Sequence, residues 1–462
     1  MRIGGQKIPF ITTMLIASET LFVISGMYIG TWLQASLGGQ ALNLSWEAAL
    51  LRFGVIVVVC ELSLYYFDIW DLQIVSRRTV LVVRLLQAFG IACITLAMLY
   101  MAIPSLRLGA NTLVFAAPVA LFILVVWRYI IEKASPLVNA PERVLVLGTA
   151  EAGVIVASAV SSRPEYNMTI VGILEEPGVV PRVALSAPVI GTADELEEIV
   201  QKEQIERVVI SLAERRGRMP VRELLQLRFG GLQIEDAHTV LERISGRIMI
   251  EHLSPSWLFM SEGFPNSRWS LGAKRTVDIV LSAIALILTA PLMLVLAIII
   301  RLESPTSPLF TQERVGLHGR VFKIFKFRSM LPKPADAPPS WTSKNDNRIT
   351  GFGRFIRKSR LDELPQFFNV LRGDMSLVGP RPEQPYFCEM LGQQIPYFAL
   401  RHSVRPGITG WAQVKYGYGG TVEESKTKLE HDLFYIKHRS LTLDMLILFE
   451  TAKVMIAGRG AA

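Results

Sequence analysis

Two adjacent carboxylates, Asp362 and Glu363, follow a run of cations in GRFIRKSRLDELPQFFNVL, residues 353–371: Arg354, Arg357, Lys358 and Arg360. If Asp362 opens a helix, Pro365 falls in the first turn, where a missing N–H has no intrahelical partner to lose. Phe367, Phe368, Val370 and Leu371 would then form the buried face. A carboxylate at a helix N-terminus among arginines stays ionised. That suits two chemistries: attack on phosphorus, or ligation of Mg²⁺, which takes one or two carboxylates together with substrate phosphate oxygens. Taken alone, such a pair reads more simply as a helix cap with surface salt bridges.

The neighbourhood argues for chemistry. GDMSLVGPRP, residues 373–382, fixes Arg381 between two prolines, well placed to hold a phosphate bidentately. Residues 310–330 alternate basic and apolar side chains, which predicts β structure presenting Arg314, Lys323, Lys326 and Arg328. LRHSVRPGITGWAQV, residues 400–414, adds Arg401 and Arg405 among glycines that allow tight turns. Together these cations read as an anion-collecting surface. His402 and His431 are not at metal-ligand spacing and are assigned to structure. Cys60, Cys93 and Cys388 lie too far apart for a disulfide framework or a zinc site.

The elements that must position this chemistry are unusually apolar. The 462 residues are 51% hydrophobic and 19% charged, with 48 Lys and Arg against 40 Asp and Glu, a formal charge of +8. Mean hydropathy is +0.37. A disordered chain would need sparse apolar residues and dense charge. A dedicated nucleic-acid binder is disfavoured, because the positive excess is diluted through an apolar chain; membrane proteins carry such an excess on the cytoplasmic side. Four segments, Ile8–Leu33, Trp46–Tyr66, Val80–Ile103 and Thr112–Ile131, each approach the roughly 20 apolar residues that span a bilayer. The first exceeds the h-region of a signal peptide and lacks a convincing cleavage site, so it is expected to stay attached. Arg2, Lys7, Arg77, Arg78, Arg84, Arg128 and Lys133 place the N-terminus and everything after residue 133 in the cytoplasm.

Beyond the fourth segment, RVLVLG at 143–148 leads into Thr149-Ala150-Glu151-Ala152-Gly153 and an apolar helix through Val160. Short strands at 169–174 and 208–212 flank a helix at 195–202, which predicts a parallel, Rossmann-like sheet. Ala150 stands where a dinucleotide fingerprint has its second glycine, the one that lets backbone approach phosphate. A strand-to-helix turn inside a structural or regulatory domain is the favoured reading there. After Lys274-Arg275, an apolar stretch from Val277 to Ile300 is interrupted by Ala290-Pro291 and closed by Arg301. Proline removes a helical hydrogen bond, and cations at both ends give no direction of crossing. Sequence physics leaves open a fifth span or a helix–break–helix that enters and leaves by one face.

The runs KFRSM, SRLDELPQFFNVLRGDMSLVGPRP and VRPGITGWAQV, behind that proline-interrupted stretch, strongly resemble the bacterial sugar transferases, the polyisoprenyl-phosphate hexose-1-phosphate transferases or monotopic phosphoglycosyl transferases. The resemblance covers about 270–458 nearly end to end, and the whole chain looks like the long members that initiate exopolysaccharide or O-antigen synthesis. It implies transfer of a hexose-1-phosphate from a UDP-sugar to undecaprenyl phosphate, with release of UMP. It implies that Asp362 is the nucleophile and a Mg²⁺ ligand, and that Glu363 assists with metal or proton handling. Lys326, Arg357 and Arg381 match basic positions expected to meet phosphate, and Arg405 joins them as a fourth candidate. Ala290-Pro291 matches the family's re-entrant turn, often Ser-Pro, which resolves the hairpin as re-entrant.

The expected fold is therefore a membrane protein in three parts: a four-helix transmembrane bundle over 1–135, a Rossmann-like, CoA-binding-like α/β module over 136–266, and a mainly α phosphoglycosyl transferase domain over 267–462 with a re-entrant hairpin at 277–300. The bacterial inner membrane is the expected location, multi-pass, with the active site on the cytoplasmic face. Homodimerisation and contact with downstream glycosyltransferases are candidate partnerships. Residues 332–340, rich in proline, are a candidate lid, and Leu441–Ile456 reads as an amphipathic helix on the core or the membrane surface. A sugar-modifying oxidoreductase is disfavoured by Ala150 and by the lack of a Tyr-x-x-x-Lys pair in the module. A non-catalytic scaffold is disfavoured by the intact Asp362, Glu363 and Arg381.

Overall fold

The structure, a computed structural model, describes residues 2–3, 6–7, 10–36, 46–67, 78–106, 112–138, 141–162, 166, 168–175, 187–212, 219–251, 263–265, 267–303, 306–332, 346, 348–416 and 421–456. The candidate lid at 332–340 lies almost wholly outside these residues. The chain divides into two compact units, Lys7–Ala237 and His238–Ala462, the latter with Arg2–Gln6.

Four long helices open the first unit where the apolar runs predict them: α1 (Phe10–Ser36), α2 (Trp46–Tyr66), α3 (Arg78–Ala102) and α4 (Thr112–Val138). Small residues bring α1 and α4 together. A Cβ at Gly26 would fall 2.6 Å from Ala120 Cα, and one at Gly30 would fall 2.4 Å from Ala116 Cα, the close backbone approach that glycines four residues apart permit. Glu19 and Arg128 form an ion pair at 2.5 Å, with side chains 1% and 4% exposed. Trp127 Nε1 donates to Ser18 Oγ at 2.8 Å and Thr20 Oγ1 to Glu61 Oε1 at 2.9 Å. Polar groups at such depth need partners. Arg128, counted above as a topological charge, is thus neutralised inside the helix pair and adds nothing to the loop bias. Outward-facing positions such as Leu51, Met98, Met101 and Phe122 are exposed apolar side chains. Among the described residues, two helical stretches, Val83–Ala102 and Arg268–Glu303, are long and apolar enough to cross a membrane.

The same unit carries a five-stranded parallel sheet, β1 (Glu142–Leu147), β2 (Met168–Glu175), β3 (Val189–Thr192), β4 (Arg207–Ile210) and β5 (Gln233–Asp236), in the order β3-β2-β1-β4-β5. This is the Rossmann-like arrangement that the alternating pattern predicts, with the order reversing beside β1. Gly148 follows β1 at φ +106°, and a Cβ at Gly153 on helix α5 (Glu151–Ser161) would meet Ser211 Oγ at 2.8 Å. The first and third glycine roles are therefore present. At the middle position, Ala150 N–H donates to Ser211 O at 3.3 Å, so that amide closes the turn.

The second unit begins with α8 (Ala237–Ser245), which follows α6 (Leu196–Lys202) and α7 (Val221–Phe229) of the sheet region. Residues well ahead of 267 belong to its core. Ile248 and Ile250 are buried in the cluster that holds Val370, Trp411 and Leu433. Trp411 Nε1 donates to Gly246 O at 2.7 Å, Ile248 N to Glu430 O at 3.1 Å, and Lys437 pairs with Glu242 at 2.7 Å. Around them lie a membrane-type helix α9 (Arg268–Glu303), the antiparallel pair β6 (Leu309–Val315) and β7 (Val321–Phe327), α10 (Gly351–Lys358), α11 (Gln366–Arg372), the parallel pair β8 (Ser376–Val378) and β9 (Gly407–Thr409), α12 (Pro385–Gln394), α13 (Trp411–Lys415), α14 (Val422–His438) and α15 (Leu441–Ile456). Leu443 and Ile447 of α15 are buried in the same core, so this helix packs on the domain by its inner face.

α9 corrects the expected interruption at Ala290-Pro291: its 36 residues are helical throughout, with Pro291 inside. Near one end Arg275 donates to Val370 O and Leu371 O at 2.7 and 3.0 Å; near the other, Leu296 and Ile300 belong to a buried cluster with Phe327 and Ile356. Proline inside a helix removes one of its hydrogen bonds, and beside it Thr289 Oγ1 donates to Ala285 O at 2.7 Å. Ile287 and Leu288, just before Pro291, are each 74% exposed.

Candidate active site

Asp362 and Glu363 sit in a single helical turn, Leu361–Glu363, preceding α11. Arg360 enters that turn at φ +54°, an uncommon conformation for a residue with a side chain. The dyad is buried, each residue 9% exposed, and its two members are treated differently. Lys326 Nζ and Arg381 Nη2 both donate to Glu363 Oε1, at 3.0 and 2.9 Å. Among the described residues the Asp362 carboxylate makes no hydrogen bond or ion pair; its neighbours act on it through charge.

The electrostatics follow from that asymmetry. Burial pushes the Asp362 carboxyl up to about 6, reinforced by the Glu363 charge and opposed by Lys326, Arg357 and Arg381. Burial also acts to raise Glu363, but Lys326 and Arg381 outweigh it and hold this carboxyl well below the usual range. Burial lowers Lys326 against the pull of Glu363, and the Glu363 charge raises Arg381. Glu363 is a fixed anion that organises two cations. Asp362 is a poorly solvated carboxylate with free lone pairs, the state in which a carboxylate attacks phosphorus or binds a hard cation.

The alternating stretch forms the expected β structure, here an antiparallel hairpin, and of its four cations Lys326 bonds the dyad among the described contacts. Lys326 does so from β7. Arg314 Nη1 donates to Pro382 O at 3.1 Å, and Arg328 Nε donates to Ser307 O at 2.8 Å. Arg357 on α10 acts on Asp362 through charge while Nη1 meets Met330 Sδ at 3.3 Å. Arg405 lies apart from the dyad among the described contacts: its Nε donates to Gly373 O at 3.0 Å, at the end of α11. The buried face of α11 also differs from expectation. Gln366, Asn369 and Val370 point inward and Phe368 is exposed, because Asn369 bonds the free edge of β7, accepting from Phe325 N at 3.0 Å and donating to Lys323 O at 2.7 Å.

Arg381 stands on a loop whose backbone is unusually well held. Pro380 O accepts from Gly407 N at 2.9 Å and Glu383 O from Val315 N at 2.9 Å. Tyr435 Oη donates to Val378 O at 3.0 Å, and Arg401 Nη2 to Arg381 O at 2.8 Å. Gly379 and Gly407 make this possible, since a Cβ at either would lie 2.4 Å or less from backbone atoms of the other strand's chain. Sequence reasoning noted Arg401 only as one more cation and passed over Asp432, its partner at 3.0 Å. A lone Asp on a charged helix carries no local signal of that pairing.

Residues 269–458 match the family described as bacterial sugar transferase, and residues 65–227 match a CoA-binding domain. The chain is 46% identical over 222 residues to a UDP-N-acetylgalactosamine-undecaprenyl-phosphate N-acetylgalactosaminephosphotransferase of Aeromonas hydrophila, 48% of this chain and 52% of that protein. It thus spans about half of that relative. Over longer stretches it is 32% identical to the undecaprenyl-phosphate glucose phosphotransferase of Komagataeibacter xylinus, across 77% of this chain and 67% of the relative. It is 36% identical to the UDP-glucose:undecaprenyl-phosphate glucose-1-phosphate transferase of Xanthomonas campestris pv. campestris, across 70% and 68%. With the dyad, its cations and the proline-containing apolar helix in one domain, the chain belongs to the bacterial sugar transferase family.

Proposed function

We propose that the protein transfers a hexose-1-phosphate from a UDP-sugar to undecaprenyl phosphate through a covalent aspartyl sugar-phosphate, the initiating step of exopolysaccharide or O-antigen synthesis. The observation that carries this reading is the asymmetric dyad: Asp362 buried with no hydrogen bond among the described residues, Glu363 fixed by two cations about 3 Å away. In the first half-reaction an Asp362 oxygen attacks the β-phosphorus, the bond to the bridging oxygen breaks, and that oxygen leaves on UMP. In the second, a phosphate oxygen of the lipid attacks the same phosphorus and releases Asp362. Lys326 and Arg381 line the side from which phosphate charge is met, and Arg357 adds its field. Splitting one displacement into two lets a water-soluble and a lipid substrate use the site in turn.

The donor set fits Mg²⁺. Asp362 has the open carboxylate that the ion takes alongside phosphate oxygens, and Glu363 is already occupied by Lys326 and Arg381. When bound, the ion would neutralise phosphate charge. Pro291 inside α9 and the exposed Ile287 and Leu288 before it support a re-entrant reading, with the apolar middle of the helix dipping into one leaflet and both ends on the cytoplasmic face. The four N-terminal helices would then span the inner membrane. The test is release of UMP from a panel of UDP-sugars with Mg²⁺ and undecaprenyl phosphate. Wild-type protein should release UMP with at least one sugar and Asp362→Asn with none; full turnover by Asp362→Asn would remove the nucleophile assignment.

A further inference from the structure

Helix α14 presents three residues one turn apart, Lys428, Asp432 and Tyr435, toward the segment that carries Arg381. Tyr435 Oη donates to Val378 O at 3.0 Å, and Lys428 feels the charges of both Glu383 and Arg381, burial lowering its ammonium against the pull of Glu383. Asp432 is 2% exposed and its carboxylate accepts from Arg401 Nη2 at 3.0 Å. The same nitrogen donates to Arg381 O at 2.8 Å. Arg401 is itself 8% exposed, with its guanidinium 5.1 Å from the centre of the Phe398 ring. A buried carboxylate, a buried guanidinium and the main chain of the phosphate-facing arginine therefore form one chain of contacts ending at Glu363.

The geometry points to Asp432 and Arg401 as positioning residues for Arg381. Neither bonds the dyad. Asp432 fixes the plane and reach of Arg401, and Arg401 fixes the carbonyl of Arg381 between two prolines, so that the Arg381 guanidinium leaves the backbone in one direction, onto Glu363. Both bonds leave one nitrogen, Nη2, whose two hydrogens are held in the guanidinium plane; a lysine ammonium lies one bond nearer its own backbone and rotates freely, so it does not hold both acceptors at that reach and angle. Buried pairs like this are poor sources of net stability and better at fixing geometry. A displacement near 1 Å at a phosphate-binding group can cost on the order of 100-fold in rate.

The inference rests on the proposed transfer for its activity readout, and a second readout stands apart from it. Asp432→Asn and Arg401→Lys are compared with wild type, each alone and combined with Arg381→Ala, by hydrogen exchange over 378–383 and by UMP release. Positioning predicts at least tenfold faster exchange over 378–383 in both single variants and a tenfold to hundredfold loss of UMP release. It also predicts no further loss when either change is added to Arg381→Ala, the non-additivity expected of residues acting through one another. Wild-type exchange over 378–383 in Arg401→Lys, or equal losses in both backgrounds, would overturn it. Should Asp432→Asn fail to fold, Arg401→Lys decides the question, since it keeps the buried charge pair and loses only the bridge. Faster exchange in variants of a protein that releases no UMP from any UDP-sugar would leave the positioning intact and remove the proposed reaction.

Discussion

At the scale of the residue, two neighbouring carboxylates have opposite fates, and their substitutions should differ in sign. Asp362 is raised to about 6 by burial and by Glu363, above its unfolded value, so its contribution to stability is present below the unfolded pKa and lost as pH rises through about 6. Removing that charge should relieve the cost. Asp362→Asn is predicted to melt a few degrees above wild type at pH 7.5 while releasing no UMP, and to lose that advantage near pH 4. Glu363 is held low by Lys326 and Arg381, so its stability is present above the unfolded pKa and lost as pH falls below it. Glu363→Gln strands two cations and should cost on the order of 2 kcal/mol, less than the roughly 3–5 of a fully enclosed pair, because the Arg381 side chain is 38% exposed. Thermal melting of both variants at pH 7.5 and pH 4 checks the signs. For the wild type, UMP release should rise with pH through about 6 as Asp362 ionises. The dyad and Lys326 were legible in the sequence, because an acidic pair amid cations is a local signal. Arg405 drew attention for the same reason, a cation in a Gly-Pro turn, and only the fold shows that its Nε also holds the end of α11 at Gly373 O. Asp432 was invisible, since it lies 31 residues from Arg401.

At the scale of the element, apolar run length and strand–helix alternation made most of the fold readable: all four N-terminal helices, strands β1, β2 and β4 of the parallel sheet and the β structure of β6 and β7 lie where the pattern places them. Two features were not local. Residues 238–251 belong to the C-terminal core because Ile248, Ile250 and Gly246 find partners in α13 and α14, whereas the sequence there shows only a change of composition. The continuity of α9 is the other: Pro291 stands inside an unbroken helix whose two ends, at Arg275 and Ile300, both pack on the domain. If both ends face the cytoplasm, a cysteine at Leu302, 83% exposed, will react with a membrane-impermeant maleimide only from the cytoplasmic side. Labelling of Leu302→Cys from the periplasm would make α9 a crossing helix.

At the scale of the whole molecule, the positive excess has two destinations. Some cations flank apolar helices, and Lys326, Arg357 and Arg381 gather around one dyad, where a water-soluble and a lipid substrate would each present phosphate. Arg128, by contrast, is paired with Glu19 inside the helix pair, which leaves the net charge unchanged and removes one cation from those that could orient the chain. Serial use of a single site predicts that the two substrates need never be bound together. The most direct measurement is therefore made without lipid. Protein, Mg²⁺ and the accepted UDP-sugar, with no undecaprenyl phosphate, should release a burst of UMP approaching one equivalent per site. Mass spectrometry should then find hexose phosphate on the peptide containing Asp362. Release of UMP only when lipid is present, with no added mass on that peptide, would contradict the covalent account.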